Sequence, residues 1–400
     1  MMLGYLLARA GVDVLVLEKH TDFLRDFRGD TVHPSTLEIM HELGLLGDFL
    51  GCPHQELPRI AAQIGDTRVW VADFSHLPTH AKFIALMPQW DFLNFLAERG
   101  RAYPSFKLRM EAEVVDLIQQ SGIVTGVRVK TPQGELAVYA DLVVGTDGRS
   151  SIVREKAGLK VLEKGAPMDV LWMRISRRLD DPEQSLGRID FGRILVMLNR
   201  GDYWQCAYLI PKGGSDSVKA RGIESLRQNI AQIAPYLRDR VSELKDWDDV
   251  KLLTVKVDRL EKWDKPGLLC IGDAAHAMSP VGGVGINLAV QDAVAAANVL
   301  AAPLSANQGI AESLEKVQSR REFPTRVTQG MQILAQNRVI SRILGVEKPI
   351  AIPWQLKLMN RLPFLQRIPA RLIGLGIRPE HVRTPDVRRA ANRATAPTQH

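Results

Sequence analysis

The strongest signal in this 400-residue chain is the stretch CIGDAAHAMSPVGGVGINLAVQD, residues 270–292. Apolar residues over 268–271 predict a short buried strand that ends in Gly272-Asp273, and Pro280 then interrupts the chain. A glycine-rich run leads into a helix that begins near Ile286-Asn287. Because a helix N-terminus favours negative charge and glycine lets a ligand approach the backbone, this pattern predicts a ligand site at the helix start. A flexible glycine-rich loop, the alternative, fits poorly between a buried strand and an amphipathic helix.

The segment DLVVGTDGRSSIVR, residues 141–154, has a related arrangement. A buried strand over Asp141–Gly145 runs into Asp147-Gly148, and Ser150 or Ser151 can cap the helix that follows. An aspartate at the carboxyl end of a strand lies where α/β sheets bind ligands. An ordinary strand–turn–helix joint with a capping aspartate is the alternative, and the sequence leaves both open.

The first residues resemble the second half of a nucleotide-binding βαβ unit. A helix is predicted over Met2–Ala10 with Gly11 after it, and a strand over Val12–Leu17 ends in Glu18. An acid at this place can accept hydrogen bonds from ribose hydroxyls. The first strand and the G-x-G-x-x-G turn that normally precede such a helix are not in the sequence. We therefore expect that the true start lies upstream, and a truncated variant is the alternative.

The rest of the chain predicts an α/β protein with an antiparallel insertion. Two short strands are predicted within 58–73, single strands at 107–118, 123–131, 135–140 and 250–257, and several strands within 168–210. The predicted helices lie at 34–50, 88–102, 217–236 and from about 286 to 300, with further helical periodicity to the end.

Composition excludes several classes of protein. The net charge of +7 is uneven, because residues 341–400 hold 11 Lys/Arg and 3 Asp/Glu and the remainder sums to about zero. The body is therefore not a nucleic-acid binder by charge. Three widely separated cysteines match no metal spacing and indicate a reducing, cytoplasmic compartment. The sequence contains no run of 18 or more apolar residues, so no membrane-spanning helix is predicted.

The three segments together resemble the FAD-dependent aromatic hydroxylase family, which has the para-hydroxybenzoate hydroxylase fold. The resemblance covers about residues 1–330. It implies a Rossmann-like FAD-binding domain from 1–55, 80–158 and 264–330, an inserted antiparallel-sheet substrate domain from 56–79 and 159–263, and a basic C-terminal helical segment over 331–400.

The resemblance also implies roles for individual residues. Glu18 would hold the adenosine ribose, Arg28 and Gln89 would contact the flavin side of FAD, and Asp147 would lie near the pyrophosphate. Asp273 would bind the ribityl or pyrophosphate portion, and Pro280 would lie beside the isoalloxazine ring. Gly285, Ile286 and Asn287 would supply polar contacts to the pyrimidine edge of the ring, and Gly283 would also belong to the cofactor site. His276 is expected to shape the loop rather than to act in catalysis.

The activity that the resemblance implies is that of a monooxygenase. NAD(P)H would reduce FAD, and O2 would form a C4a-hydroperoxide that hydroxylates a hydrophobic or aromatic small molecule. Candidate substrate-lining residues, about half of which should face away, are Trp172, Met173, Phe191, Met197, Trp204 and Tyr208. Two other hypotheses stay open: a flavin-dependent reductase or halogenase of related fold, although no Trp-x-Trp-x-x-x-Pro segment is present, and a non-catalytic binding protein.

The basic C-terminal segment allows two interpretations. Its helices can pack on the body with a solvated basic face, or they can form a surface that touches anionic lipid at the periphery of a membrane. Apolar residues from Trp354 to Ile368 alternate with the cations, so composition does not separate these interpretations.

Overall fold

A computed structural model describes residues 1–24, 31–182, 186–344, 346 and 351–388. The helices are α1 Met2–Arg9, α2 Pro34–Glu42, α3 Leu46–Leu50, α4 Gln89–Gly100, α5 Ile152–Lys156, α6 Ser215–Ala220, α7 Ile223–Ile233, α8 Gly285–Ser305, α9 Ala311–Ala335, α10 Ser341–Ile343, α11 Trp354–Arg361 and α12 Arg367–Gly374. The strands are β1 Val14–Leu17, β2 Thr31–Val32, β3 Gln55–Leu57, β4 Arg59–Ile64, β5 Thr67–Asp73, β6 Ile84–Leu86, β7 Phe106–Arg109, β8 Glu113–Gln120, β9 Ile123–Thr131, β10 Gly134–Tyr139, β11 Val143–Gly145, β12 Val161–Glu163, β13 Met168–Ser176, β14 Leu186–Asp190, β15 Arg193–Asn199, β16 Tyr203–Pro211, β17 Lys251–Leu253, β18 Asp258–Leu260, β19 Asp264–Lys265 and β20 Leu268–Cys270.

The predicted α/β class is confirmed, with several elements shorter or more divided than the sequence pattern indicated. The predicted strand 107–118 is two strands, β7 and β8, and the predicted helix 34–50 is two helices, α2 and α3. The predicted helix 217–236 divides into α6 and α7 at Gly222, whose φ of 81° no helix accommodates. The predicted strand 250–257 is paired only over Lys251–Leu253.

Two groups of strands carry the nucleotide-binding pattern. In the first, β1 runs parallel to β7; in the second, β11 runs parallel to β20, and β19 adds an antiparallel edge. In the described part of the chain, no ladder of hydrogen bonds joins one group to the other. Helices α1 and α8 pack together beside them in one hydrophobic core, and these strands and helices form the first structural unit. Because β11 and β20 are parallel, their carboxyl ends lie at the same edge.

The second structural unit is a seven-stranded sheet with the order β17-β13-β16-β15-β14-β4-β5. All pairs in it are antiparallel except β14 with β4. Its strands come from both segments assigned by sequence to the substrate domain, 56–79 and 159–263. One face packs against α7, and the other packs against the end of α9 and Val281.

The described part of the C-terminal segment contains α10, α11 and α12, and it spreads over both units. A π-helical turn, Gln336–Ile340, links α9 to α10, and α11 and α12 both pack against β5. Beyond α12, an extended strap returns to the first unit, where Arg9 donates hydrogen bonds to the Thr384 and Pro385 carbonyls. Among the described helices, Val281–Ser305 is long and apolar enough to cross a membrane, and 67% of its most apolar window is buried inside the protein.

Candidate functional site

The predicted strand–turn–helix at 268–305 forms a turn against β2. Gly282 and Gly283 have φ of 81° and 64°, values that residues with a Cβ rarely adopt, and α8 begins at Gly285. Thr31 donates a hydrogen bond of 2.9 Å to the Gly283 carbonyl, and a Cβ at Gly283 would lie 2.4 Å from Thr31 Oγ1. Packing against Thr31 therefore requires glycine at position 283.

The first turn of α8 is open to a ligand through its backbone. The first N–H groups of an α-helix have no partner within the helix, and the helix dipole makes this end positive. Pro280, Gly283, Gly285 and Ile286 are all half-buried here. This turn can therefore stabilise an anionic or electron-rich edge of a bound molecule.

Asn287 holds this turn to the segment that follows β2. Its Oδ1 accepts hydrogen bonds from the His33 N–H at 2.9 Å and from Thr36 Oγ1 at 2.7 Å. Its Nδ2 donates to the carbonyls of Thr31 and Gly283, both at 3.3 Å. Because protein groups occupy both side-chain atoms, a contact from position 287 to a flavin ring would come from the backbone N–H. The contact of Asn287 with FAD stays a prediction.

His33, which the sequence did not single out, is buried at the start of α2. Burial lowers the pKa of His33 to about 4, although a hydrogen bond to the Ile373 carbonyl at 2.8 Å opposes that shift. The ring is therefore neutral at neutral pH. A lone histidine before a proline carries no sequence pattern from which this could have been predicted.

The motifs at 141–154 and 270–292 meet at the carboxyl ends of β11 and β20. Arg149 Nη2 lies 3.4 Å from Asp273 Oδ2, and each side chain is about one-third exposed. Asp147 accepts hydrogen bonds from Ser151 Oγ at 2.5 Å and from the Val153 N–H at 3.1 Å. Asp147 thus stabilises the turn before α5, which is the capping role left open by the sequence, and Asp273 stays accessible to a polyol.

Glu18 and Gln89, two more predicted site residues, lie elsewhere in the first unit. Glu18 directly follows β1, where its Oε1 accepts a hydrogen bond of 3.0 Å from the His20 N–H. Gln89 is the first residue of α4, with Pro88 before it as predicted, and is half-buried. Arg28 lies outside the described residues. The roles of these three residues toward FAD stay predictions.

A buried ionic network supports the loop from beneath. Asp292 on α8 accepts a hydrogen bond from the Gly272 N–H at 3.1 Å, and its carboxylate lies 2.5 Å from His276 Nε2 and 2.9 Å from Arg321 Nε. Burial alone would raise the pKa of Asp292, but His276 and Arg321 outweigh it and hold the pKa below its usual value. His276 is buried in this network, which fits the structural role expected for it.

Two glutamines on α9, and Gln336 in the π-helical turn that follows it, attach the loop 277–281 to this part of the chain. Gln332 accepts a hydrogen bond from the Ser279 N–H at 3.2 Å and donates to the carbonyls of Ser279 and Val281 at 3.0 and 2.8 Å. Gln329 donates to the Ala277 carbonyl, and Gln336 bonds to Ser279 Oγ. No sequence pattern indicated these hydrogen bonds, because amides at helical spacing are ordinary surface residues unless a loop packs against them.

Replacing Gln332 with leucine should weaken FAD binding about tenfold, because the turn that carries Pro280 loses three hydrogen bonds. A shift in the visible flavin spectrum should accompany the loss, since the turn would move relative to the ring. Gln318→Leu is the matched control: Gln318, also on α9, bonds the Trp263 N–H and the Glu261 carbonyl away from the loop. Equal FAD affinity and identical spectra for the two variants would contradict the positioning role.

The face of the seven-stranded sheet that lies toward the loop 277–281 is apolar. Val281 packs against a cluster that includes Val170, Trp172, Ala207 and Leu209. Of the six candidate lining residues, Met173, Met197, Trp204 and Tyr208 lie on the opposite face, against α7, and Phe191 is an exposed residue with φ of 42°. Strand alternation explains the division, since neighbouring residues point to opposite faces. Trp172 is the one candidate on the face toward the loop.

Comparisons with known proteins identify the family of the chain. The family model described as FAD binding domain matches residues 1–330. The chain is 30% identical to 6-methylpretetramide 4-monooxygenase of Streptomyces rimosus over 92% of this chain and 88% of that protein. It is 25% identical to para-nitrophenol 4-monooxygenase of Pseudomonas sp. over 74% and 73%.

A solved structure has the same fold. The anhydrotetracycline hydroxylase OxyS from Streptomyces rimosus superposes with a TM-score of 0.72 over 95% of this chain and 74% of that one, at 23% identity. With the glycine turn, the two strand-end aspartates and the family match over most of its length, this chain belongs to the FAD-dependent aromatic hydroxylase family of flavoprotein monooxygenases.

Proposed function

We propose that this protein uses FAD, NAD(P)H and O2 to hydroxylate a hydrophobic or aromatic small molecule. The observation that carries the proposal is the 30% identity to a named 4-monooxygenase over 92% of the chain. We also propose a cytoplasmic location, which the three free cysteines favour.

The groups at the site fit a flavin nucleotide. Glu18 and Asp273 offer carboxylate oxygens to the hydroxyls of a ribose and of a ribityl chain. The first turn of α8 offers N–H groups and a positive dipole to the pyrimidine edge of the ring. A Cβ at Gly148 would meet no atom within 4 Å, so the turn beside Asp147 leaves space for a ligand. When bound, FAD supplies electron transfer from NAD(P)H and reaction with O2.

The protein's own residues would orient the substrate and exclude water. The sheet face around Trp172 and Leu209 provides an apolar wall opposite the Pro280–Gly283 turn. The neutral, buried His33 and the fully bonded Asn287 keep the helix start rigid without adding charge beside it. The geometry assigns no general base, so catalysis in this proposal rests on positioning.

The proposal is tested by turnover with O2. Candidate phenols and polycyclic aromatic compounds are supplied with NADH or NADPH and isotopically labelled O2, and products are analysed by mass spectrometry. We expect one labelled oxygen atom in the product and none when O2 is excluded. A product that forms equally well without O2 would favour the reductase hypothesis. A protein that binds neither flavin nor substrate would favour the binding-module hypothesis.

Asp273→Ala should weaken FAD binding at least about tenfold, because it removes the acceptor for a polyol and leaves Arg149 without its carboxylate. FAD fluorescence quenching measures the dissociation constant. Asp141→Ala is the control, since Asp141 is an exposed acid just before β11. Unchanged affinity in Asp273→Ala would remove Asp273 from the site.

A further inference from the structure

An exposed apolar and basic surface lies on the C-terminal helices, and we call it the C-terminal face. Its apolar members are exposed by 37–69% and are Trp354, Leu358, Leu362, Phe364, Ile368 and Leu372. Its exposed cations are Lys357, Arg361, Arg367 and Arg371. On α11 the apolar residues recur every four positions, and on α12 Ile368 and Leu372 do the same, as on one side of a helix. Each helix thus presents an apolar stripe with cations beside it.

The C-terminal face is fixed to the body of the protein. Asn360 accepts a hydrogen bond from the Trp70 N–H and donates to the Arg68 carbonyl, both at 2.9 Å, so α11 is bonded to the free side of β5. On α12, a Cβ at Gly374 would lie 2.7 Å from Leu77 Cδ1 and 3.1 Å from Phe74 Cδ1. The inner sides of α11 and α12 therefore pack against the body of the protein, whereas the apolar residues of the C-terminal face do not take part in this packing.

The charge of the C-terminal segment indicates what kind of partner binds the C-terminal face. Residues 351–379 contain five Lys/Arg and no Asp/Glu. In the described part of the chain, no carboxylate lies within salt-bridge distance of the four cations of the face. A second copy of the chain docked symmetrically on this face would bring like charges together. An apolar stripe with tryptophan and a flanking row of cations matches the surface of an anionic bilayer.

We propose that the C-terminal face docks the protein on an anionic lipid surface. The apolar residues would enter the headgroup boundary, while the cations contact lipid phosphates. The helices would lie on the membrane and not span it, since α11 and α12 have eight residues each. The proposal goes beyond the proposed enzymatic function and does not depend on it, because vesicle binding is measured without substrate.

The test is vesicle flotation of the full chain with phosphatidylglycerol–phosphatidylcholine vesicles and with phosphatidylcholine vesicles alone. We expect binding to the anionic vesicles that falls with added salt. The variant with Lys357, Arg361, Arg367 and Arg371 all changed to glutamine should bind at least about 100-fold more weakly. The matched control changes four exposed cations elsewhere, Lys107, Lys130, Lys156 and Lys219, to glutamine and should bind like the unchanged protein.

A second measurement locates the contact. Brominated lipid should quench tryptophan fluorescence in the unchanged protein, and the quenching should be lost in Trp354→Phe. Both charge variants should keep the circular dichroism spectrum of the unchanged protein. Absence of binding to anionic vesicles, or equal binding by the two charge variants, would overturn the proposal. Concentration-dependent self-association that only the C-terminal variant loses, without vesicle binding, would assign the face to a second copy and overturn it as well.

Discussion

Replacing Arg321 with methionine should lower the free energy of unfolding by about 3–5 kcal/mol. Arg321 is 1% exposed and lies 2.9 Å from the Asp292 carboxylate, which is wholly buried. Removing the guanidinium leaves that carboxylate with His276 as its one remaining side-chain partner in the described structure. A buried charge that loses a partner keeps its desolvation cost without its full compensation. Urea unfolding followed by tryptophan fluorescence at neutral pH measures the difference.

The same helix offers a control for this change. Arg326 on α9 pairs with Glu322 one turn away, and their side chains are 60% and 35% exposed. Arg326→Met should change the unfolding free energy by less than about 0.5 kcal/mol, because solvent screens an exposed pair. If both variants lose the same small amount, the buried network does not stabilise the fold and the loop at 272–276 is held by packing alone.

Acid unfolding gives an independent check on this network. The pKa of Asp292 is lowered in the folded state from an ordinary value of 3.8, so its contribution is present above that value and is lost as pH falls through the folded pKa. Without Arg321 this pKa is depressed less. The unchanged protein should therefore lose more unfolding free energy below about pH 4 than Arg321→Met loses.

Replacing Asn287 with leucine should weaken FAD binding about 100-fold and lower the unfolding free energy by about 3 kcal/mol. The change removes three hydrogen bonds that join α8 to residues 31–36 and a fourth to the Gly283 carbonyl. It leaves the His33 N–H and the Thr36 hydroxyl without their acceptor in residues that are fully buried. The turn at Gly283 then keeps the Thr31 hydroxyl as its hydrogen-bond partner in β2, so the start of α8 is held less firmly at the proposed FAD site.

Two further variants make this prediction specific. Asn298→Leu, on the same helix, also removes two hydrogen bonds to backbone, to the His381 carbonyl and the Arg383 N–H, but at the exposed C-terminal strap. It should leave FAD affinity unchanged. Asn287→Asp keeps the acceptor for His33 and Thr36 and should recover part of the stability. FAD titration that finds Asn287→Leu and Asn298→Leu alike would show that the Asn287 bonds do not organise the site.

Sequence patterns predicted the local geometry of the site well. The strand, the interrupted turn and the helix at 268–305 follow from residues close to one another: apolar runs, Pro280, and glycines that adopt positive φ. Gly148 likewise has φ of 86° in the turn after β11, where the sequence predicts a tight turn. Such features depend on the conformational limits of a few consecutive residues, so they can be predicted from the local sequence.

Tertiary structure decided which of these residues stay available. Asn287 is a polar residue at a helix start in the sequence, yet three of its four side-chain hydrogen-bond partners lie 251 to 256 positions away. The candidate lining residues of β13 and β16 lie on two different faces of the seven-stranded sheet. Which face points toward the loop 277–281 is known only from the packing of α7 on one side and Val281 on the other. The parallel pairing of β14 with β4 joins segments more than 100 residues apart.

The α/β class, the strand–turn–helix at 268–305, the tight turn at Gly148 and the uneven charge of the C-terminal segment all follow from the sequence alone. The folded structure decided that Gly283 must lack a Cβ because of Thr31, that Gln332 anchors the loop, and that the apolar residues of α11 and α12 remain exposed. The physical reason is the range of the interactions. Backbone conformation is set by neighbours in the chain, whereas hydrogen-bond partners and burial are set by distant segments that only folding brings together.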